Sequence, residues 1–281
     1  MDIENFLASA HDYAETTKRT YRNVIPEILG QVENPASLSA AELIEIIKKS
    51  GWGNARQCVA LAACKKYLAW KYREHPAQYA KIKRIRGKVL RALSEKQVLQ
   101  ILASFDPFKP KGARDLAIAS LMLDTGLRAS EICNLTQADT DTSNQTLQVI
   151  VKGGQWEAAV FSAETAARIE HWKRHREQIG GITHLFVNIN TGKKLSPEGL
   201  RKIVISWGKT IEIPNLTTHD FRRTFACLST TITNTPERIL MEGGRWKSPQ
   251  MIYRYTRTIR LDAMRKHLII PALDSAENRK A

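Results

Sequence analysis

Between Gly243 and Arg257 the chain reads GGRWKSPQMIYRYTR, with Tyr253 and Tyr255 set among three arginines and a lysine. A phenol is a weak nucleophile at neutral pH, with a pKa of about 10. A reactive tyrosine therefore needs partners elsewhere that bind the electrophile and manage protons. Several candidates are present. Arg128 follows a helix-ending glycine in DTGLRASEICNL, and its rigid fork suits a phosphate held by two parallel hydrogen bonds. Glu131 is near enough to orient that arginine; taken alone, it is a first-turn carboxylate favouring the helix dipole. In TTHDFRRTFACL, His219 can share a helix face with Arg222 or Arg223, and periodicity does not choose between them. By itself that trio reads as a solvated basic surface. Lys152 stands at the turn of VIVKGGQW, where a lysine is either a phosphate contact or a proton donor. Trp246 defaults to a packing aromatic whose indole N–H is satisfied.

The elements that must position these residues are mostly helical. Ile3, Phe6, Leu7 and Ala10 recur at helical spacing, as do Tyr21, Ile25 and Leu29 after ETTKRT. SLSAAELIEIIKK carries a capping-box signature, Ser39 with Glu42, and NARQCVALAACKKYLAWKY predicts a long alanine-rich helix. The basic stretch KIKRIRGKVLR, Lys81 to Arg91, reads as a linker, with a new helix starting at LSEKQV. Beyond it, LAIASLMLD predicts an apolar helix ended by Gly126, and ASEICNL restarts one. TLQVIVKGGQWEAAVF predicts a hairpin around Gly153-Gly154. Helices are expected from Ala163, around Pro197, after Thr218, after Pro236 and at the Ser-Pro of 248–249. Thr217 or Thr218 caps the helix bearing Phe221, Phe225 and Leu228. The fold class expected is mainly α, with one small hairpin or sheet in an α+β domain.

Lys and Arg total 43 against 28 Asp and Glu, a net charge of +15 over 281 residues. An excess this broad points to a polyanionic partner, because each neutralised phosphate releases counterions. Cys58, Cys64, Cys133 and Cys227 show no metal-like spacing, which fits buried free thiols in a reducing cytoplasm. The start MDIENFLASAHDY does not read as a secretory signal, and no segment approaches the roughly 20 apolar residues of a membrane span. A soluble cytoplasmic protein with a polyanionic partner is expected.

Taken in chain order, these residues resemble the tyrosine recombinases of the phage integrase family. The matches are Arg128 in TGLRASE, Lys152 in the hairpin, His219 and Arg222 in HDFR, then Trp246 and Tyr255. The family's HxxR spacing selects Arg222, and its spacing of nine residues from the Trp position reaches Tyr255, not Tyr253. The resemblance spans essentially the whole chain. It implies a helical core-binding domain at 1–80, a basic linker at 81–91, a catalytic domain at 92–260 and a tail at 261–281. It implies that Tyr255 forms a 3′-phosphotyrosine, that Arg128 and Arg222 clamp the scissile phosphate, and that Lys152 protonates the departing 5′ oxygen. His219 would bond the phosphate or help take the phenol proton, and Trp246 would donate its indole N–H. Glu131 supports Arg128. No metal or cofactor is implied. The partners implied are a double-stranded recombination site and further copies of the chain in a tetrameric synapse. Lys81, Lys83, Arg84, Arg86, Lys88 and Arg91 are expected to grip DNA phosphates. The family's usual glycine-histidine ahead of the last catalytic helix is Arg245-Trp246 here, and Gln155-Trp156 replaces a commonly basic pattern.

In the tail, Leu261, Met264 and Leu268 predict an amphipathic helix stopped by Pro271. The resemblance suggests that it docks on a neighbouring copy. Three rival readings remain. Asp139 and Asp141 could begin the carboxylate cluster of a metal-dependent nuclease, though no third ligand follows. A basic helical chain could be a noncatalytic helix-turn-helix DNA-binding protein. A type IB topoisomerase-like strand transferase would use similar chemistry.

Overall fold

Polar side chains mark where many of the helices begin. The computed structural model describes residues 2–85, 91–151, 154–179 and 182–257. The chain divides into two compact units, 1–88 and 89–281. The first holds α1 (Ile3–Ser9), α2 (Glu15–Leu29), α3 (Ala40–Lys49) and α4 (Asn54–Tyr72). The expected capping box opens α3: the Ser39 hydroxyl accepts from Glu42 N–H, and the Glu42 carboxylate accepts from Ser39 N–H. Phe6, Tyr21, Ile25, Leu43, Tyr67 and Leu68 share its core. After α4 the chain is neither helix nor strand over 81–85. Asn54 straps this stretch down, donating to Lys83 O at 3.0 Å and accepting from Ile85 N–H at 2.7 Å. Lys81, Lys83 and Arg84 are exposed there. Arg86 and Lys88 lie outside the described residues.

The second unit begins with α5 (Glu95–Ala103), α6 (Pro110–Thr125) and α7 (Ala129–Asn134). The strands β1 (Thr140–Asp141), β2 (Thr146–Ile150) and β3 (Trp156–Val160) follow. Then come α8 (Ala163–Glu177), α9 (Pro197–Thr210), α10 (Thr218–Thr231), α11 (Glu237–Gly243) and α12 (Pro249–Tyr255). The architecture is mostly helical with one small antiparallel sheet, ordered β1-β2-β3. Leu147 pairs with Ala159 and Ile150 with Trp156, so the foreseen hairpin forms. The short β1 gave no alternating pattern to read. Helix α6 is the buried spine: Ala117, Ile118, Leu121 and Met122 pack with Ile132, Trp172, Phe186 and Phe221. Each large apolar side chain so buried contributes about 1.5–3 kcal/mol.

The four cysteines are unpaired; Cys64, Cys133 and Cys227 are buried as expected, and Cys58 is only half-buried. Among the described residues no helix is long and apolar enough to cross a membrane. The expected tail helix at 261–281 lies outside the described residues.

Candidate active site

The turn between α6 and α7 presents Arg128. Gly126 closes α6 in the left-handed region, at φ +58°, and its N–H donates to Met122 O at 3.0 Å. A Cβ there would also lie 2.5 Å from the Phe225 ring, so glycine is required twice over. Arg128 follows with an extended backbone as the cap of α7. Glu131 plays both parts considered for it. One carboxylate oxygen accepts from Arg128 N–H at 2.8 Å, and the other accepts from the guanidinium at 2.6 Å. The carboxylate is buried, while the arginine side chain is about a third exposed.

Helix α10 delivers the next pair. Thr217 caps it in a capping box with Asp220. The two arginines left open by periodicity separate here. Arg223 turns to Asp220, 2.7 Å away. Arg222 is buried and donates to Gly126 O on one side and Gly244 O on the other. It therefore joins the turn before Arg128 to the turn before Trp246. Its guanidinium carbon lies 4.8 Å from the centre of the Trp246 ring, a cation–π contact. Burial pushes the Arg222 pKa down to about 10, and the positive charges of Arg128 and Arg245 add to that fall. His219 is exposed at the first turn of α10. Partial desolvation, then the charges of Arg223, Arg222 and Arg128, hold its imidazole below the usual 6.5.

The last turn and α12 complete the group. Trp246 is buried, and its ring meets that of Tyr255 at 5.5 Å in a T-shaped arrangement. Contrary to the default expectation, its indole N–H has no acceptor among the described residues. A buried donor left unpaired costs about 1–3 kcal/mol, so it needs a reason. Tyr255 is buried, and Cys227 holds its backbone, the thiol donating to Tyr255 O at 3.2 Å. Tyr253 is exposed and donates its hydroxyl to Glu237.

Arg128, Glu131, His219, Arg222, Trp246 and Tyr255 thus converge, although they come from three helices, α7, α10 and α12, and from the turns before α7 and α12. Lys152 lies outside the described residues. Its hairpin is closed by Val151 N–H on Gln155 O at 2.9 Å. Glu157 and Ala158 of β3 share a cleft of about 710 Å³ with Met241, Arg245 and Trp246. Arg91 is anchored within the second unit, donating to Pro214 O, Asn215 O and the Asp220 carboxylate. Sequence reasoning missed Arg245. It is buried, reaches Thr125 O at 2.9 Å, and lies 3.9 Å from Glu131. The departure from glycine at this place was its one signal.

Asp139 and Asp141 are occupied locally. Asp139 accepts from Thr136 and Asp141 from Ser143 and Asn144, as loop caps do. Among the described residues no three His, Cys, Asp or Glu side chains gather as a metal ion would need.

Residues 91–260 match the sequence profile of the phage integrase family. Tyrosine recombinase XerA of Pyrococcus horikoshii is 26% identical over 214 residues, 76% of this chain and 73% of that protein. Tyrosine recombinase XerD of Neisseria meningitidis serogroup B is 26% identical over 57% of this chain, and the match spans 58% of that relative. The XerH site-specific recombinase in its post-cleavage complex with a palindromic difH substrate superposes with a TM-score of 0.73. It is 18% identical, over 94% of this chain and 83% of that one. The Tn1549 transposon integrase in complex with transposon right end DNA gives a TM-score of 0.70 at 17% identity, covering 95% and 99%. At such identities the likeness is one of fold.

Proposed function

That the chain belongs to the phage integrase family is the premise from which we propose its chemistry, that of a tyrosine-type site-specific DNA recombinase. It cuts and rejoins DNA strands through a 3′-phosphotyrosine. One observation carries the assignment of residues: the buried, unpaired indole N–H of Trp246, whose ring meets both the Arg222 guanidinium and the Tyr255 ring. An acceptor oxygen there satisfies the indole and meets positive charge at once, and a nonbridging phosphate oxygen has both properties.

The step follows. The Tyr255 hydroxyl oxygen attacks phosphorus, the bond from phosphorus to the 5′ oxygen breaks, and a proton reaches that oxygen. Lys152, matched to the family by its place in the hairpin, supplies this proton. His219, its pKa lowered by partial desolvation and then by its cationic neighbours, takes or shares the phenol proton. Arg128, fixed by Glu131, and Arg222 stabilise the charge on phosphorus in a pre-set geometry. Because a phenoxide leaves more readily than an alkoxide, a 5′-hydroxyl from a second strand reverses the reaction without ATP.

A nicked suicide duplex tests this reading. The protein should become covalently attached, in excess chelator as well, and Tyr255→Phe should bind without attaching. Peptide mapping of the adduct to Tyr253, or cleavage lost to EDTA and restored by Mg²⁺, would overturn it. Residues 1–80 act in this reading as the core-binding half, Lys81–Arg91 as linker, and the active form is a tetrameric synapse on cytoplasmic, nucleoid DNA. The tail beyond Arg260 links neighbouring copies. A chain ending near Arg260 should therefore still bind one site but fail to pair two, by light scattering and gel shift. Normal pairing by that chain would remove the tail from the assembly.

A further inference from the structure

Arg245 occupies a place that suits glycine. It closes α11 in a left-handed turn, at φ +52°. Its N–H donates to Glu242 O and the Trp246 N–H to Met241 O, both at 3.0 Å, the pair of bonds that defines a Schellman turn. A side chain at that position carries backbone strain, which persists only where surrounding contacts hold it.

The contacts are specific. The Arg245 side chain is 2% exposed. It donates to Gly243 O at 2.8 Å in its own turn and to Thr125 O at 2.9 Å, 120 positions earlier in the chain. Thr125 is the last residue of α6, in the turn that leads to Arg128. The guanidinium is also 3.9 Å from the Glu131 oxygen that accepts Arg128 N–H. On its other side the next residue is Trp246, which packs on Tyr255.

We infer that Arg245 is a positioning residue, one that locks the Trp246–Tyr255 segment to the Arg128–Glu131 turn. Its two terminal nitrogens are bound to the Gly243 and Thr125 carbonyls, so it acts through the residues on either side. Two segments distant in sequence must meet to make one phosphate site, and Arg245 supplies a charged cross-link between them. Glycine at this position would relieve the backbone and lose the link. The inference rests on the recombinase reading of the site.

The test compares wild type, Arg245→Gly and Arg245→Asn. Both substitutions suit a left-handed backbone, so both should fold. The probe is a nicked duplex bearing the sequence recovered by binding selection from randomised DNA. Melting midpoint and affinity should stay near wild type. Covalent attachment at saturating protein should fall about 10- to 100-fold, the scale for misplacing a reacting group by about 1 Å. In a Glu131→Gln background the same change should cost less, since residues acting through one contact are non-additive. An unchanged saturated rate overturns the inference. So does loss of affinity and melting in step with the rate, which marks a purely structural cation. Equal losses in both backgrounds overturn the route through Glu131. A wild type that forms no adduct sinks the recombinase reading, and this inference with it.

Discussion

At the residue scale the site is an excess of positive charge arranged around one aromatic stack. Arg128, Arg222 and Arg245 share a single buried carboxylate, that of Glu131. That imbalance suits a site that completes itself with an anion. Partial desolvation, then the charges of Arg223, Arg222 and Arg128, depress His219, and the consequence for stability has a definite sign. The folded chain binds the His219 proton less tightly than the unfolded chain does. Its contribution is therefore complete above the ordinary imidazole value and lost as pH falls through the lowered one. His219→Gln should lose less stability than wild type on going from about pH 7 to pH 5, by denaturant unfolding across the range where an ordinary histidine titrates. Superimposable profiles would show that folding does not lower this imidazole's pKa.

At the scale of elements, position depends on how each helix is started and stopped. Helix α10 carries His219 and Arg222 on a start fixed by Thr217, Asp220 and Arg91. Thr217→Ala removes the cap and should cost about 1 kcal/mol by chemical denaturation. Gly126→Ala acts on the facing turn, where φ is +58° and the Phe225 ring blocks a Cβ. Strain of that kind costs on the order of 1–3 kcal/mol before the clash is counted. Because the Gly126 carbonyl also accepts from Arg222, this change should lower the rate of covalent attachment more than Thr217→Ala does. Equal rates in the two variants would show that the turn does not set the arginines' positions.

At the scale of the whole molecule the charge of +15 is a prediction about salt. Lys81, Lys83 and Arg84 are exposed on the strap after α4, whereas Arg91 is held by three acceptors in the second unit. Neutralising the first three together should flatten the dependence of log affinity on log salt by about 0.9 for each phosphate contact removed. Arg91→Gln should instead lower the melting midpoint and leave that slope as it was. A slope untouched by the triple change would take the strap off the DNA, and a flatter slope from Arg91→Gln would put Arg91 on it.

Caps, glycine stops and 3.6-residue periodicity are local properties, so the helices and the hairpin were legible from the chain alone. Ser39 with Glu42, and Gly126 after an apolar run, carry their instructions within a few residues, while the cap of α10 was left between Thr217 and Thr218 until the structure chose Thr217. The candidates for handling phosphate were each weak taken singly, and only their order in the chain, matched to the family, picked them out. Tertiary structure decided which of them meet. Periodicity could not separate Arg222 from Arg223; burial against Trp246 and a bond to Asp220 do. Nor could a sequence show that the Trp246 indole lacks an acceptor, or that Arg245 spans 120 residues to Thr125. Whether a donor is satisfied depends on what distant segments bring beside it, and no local pattern encodes that.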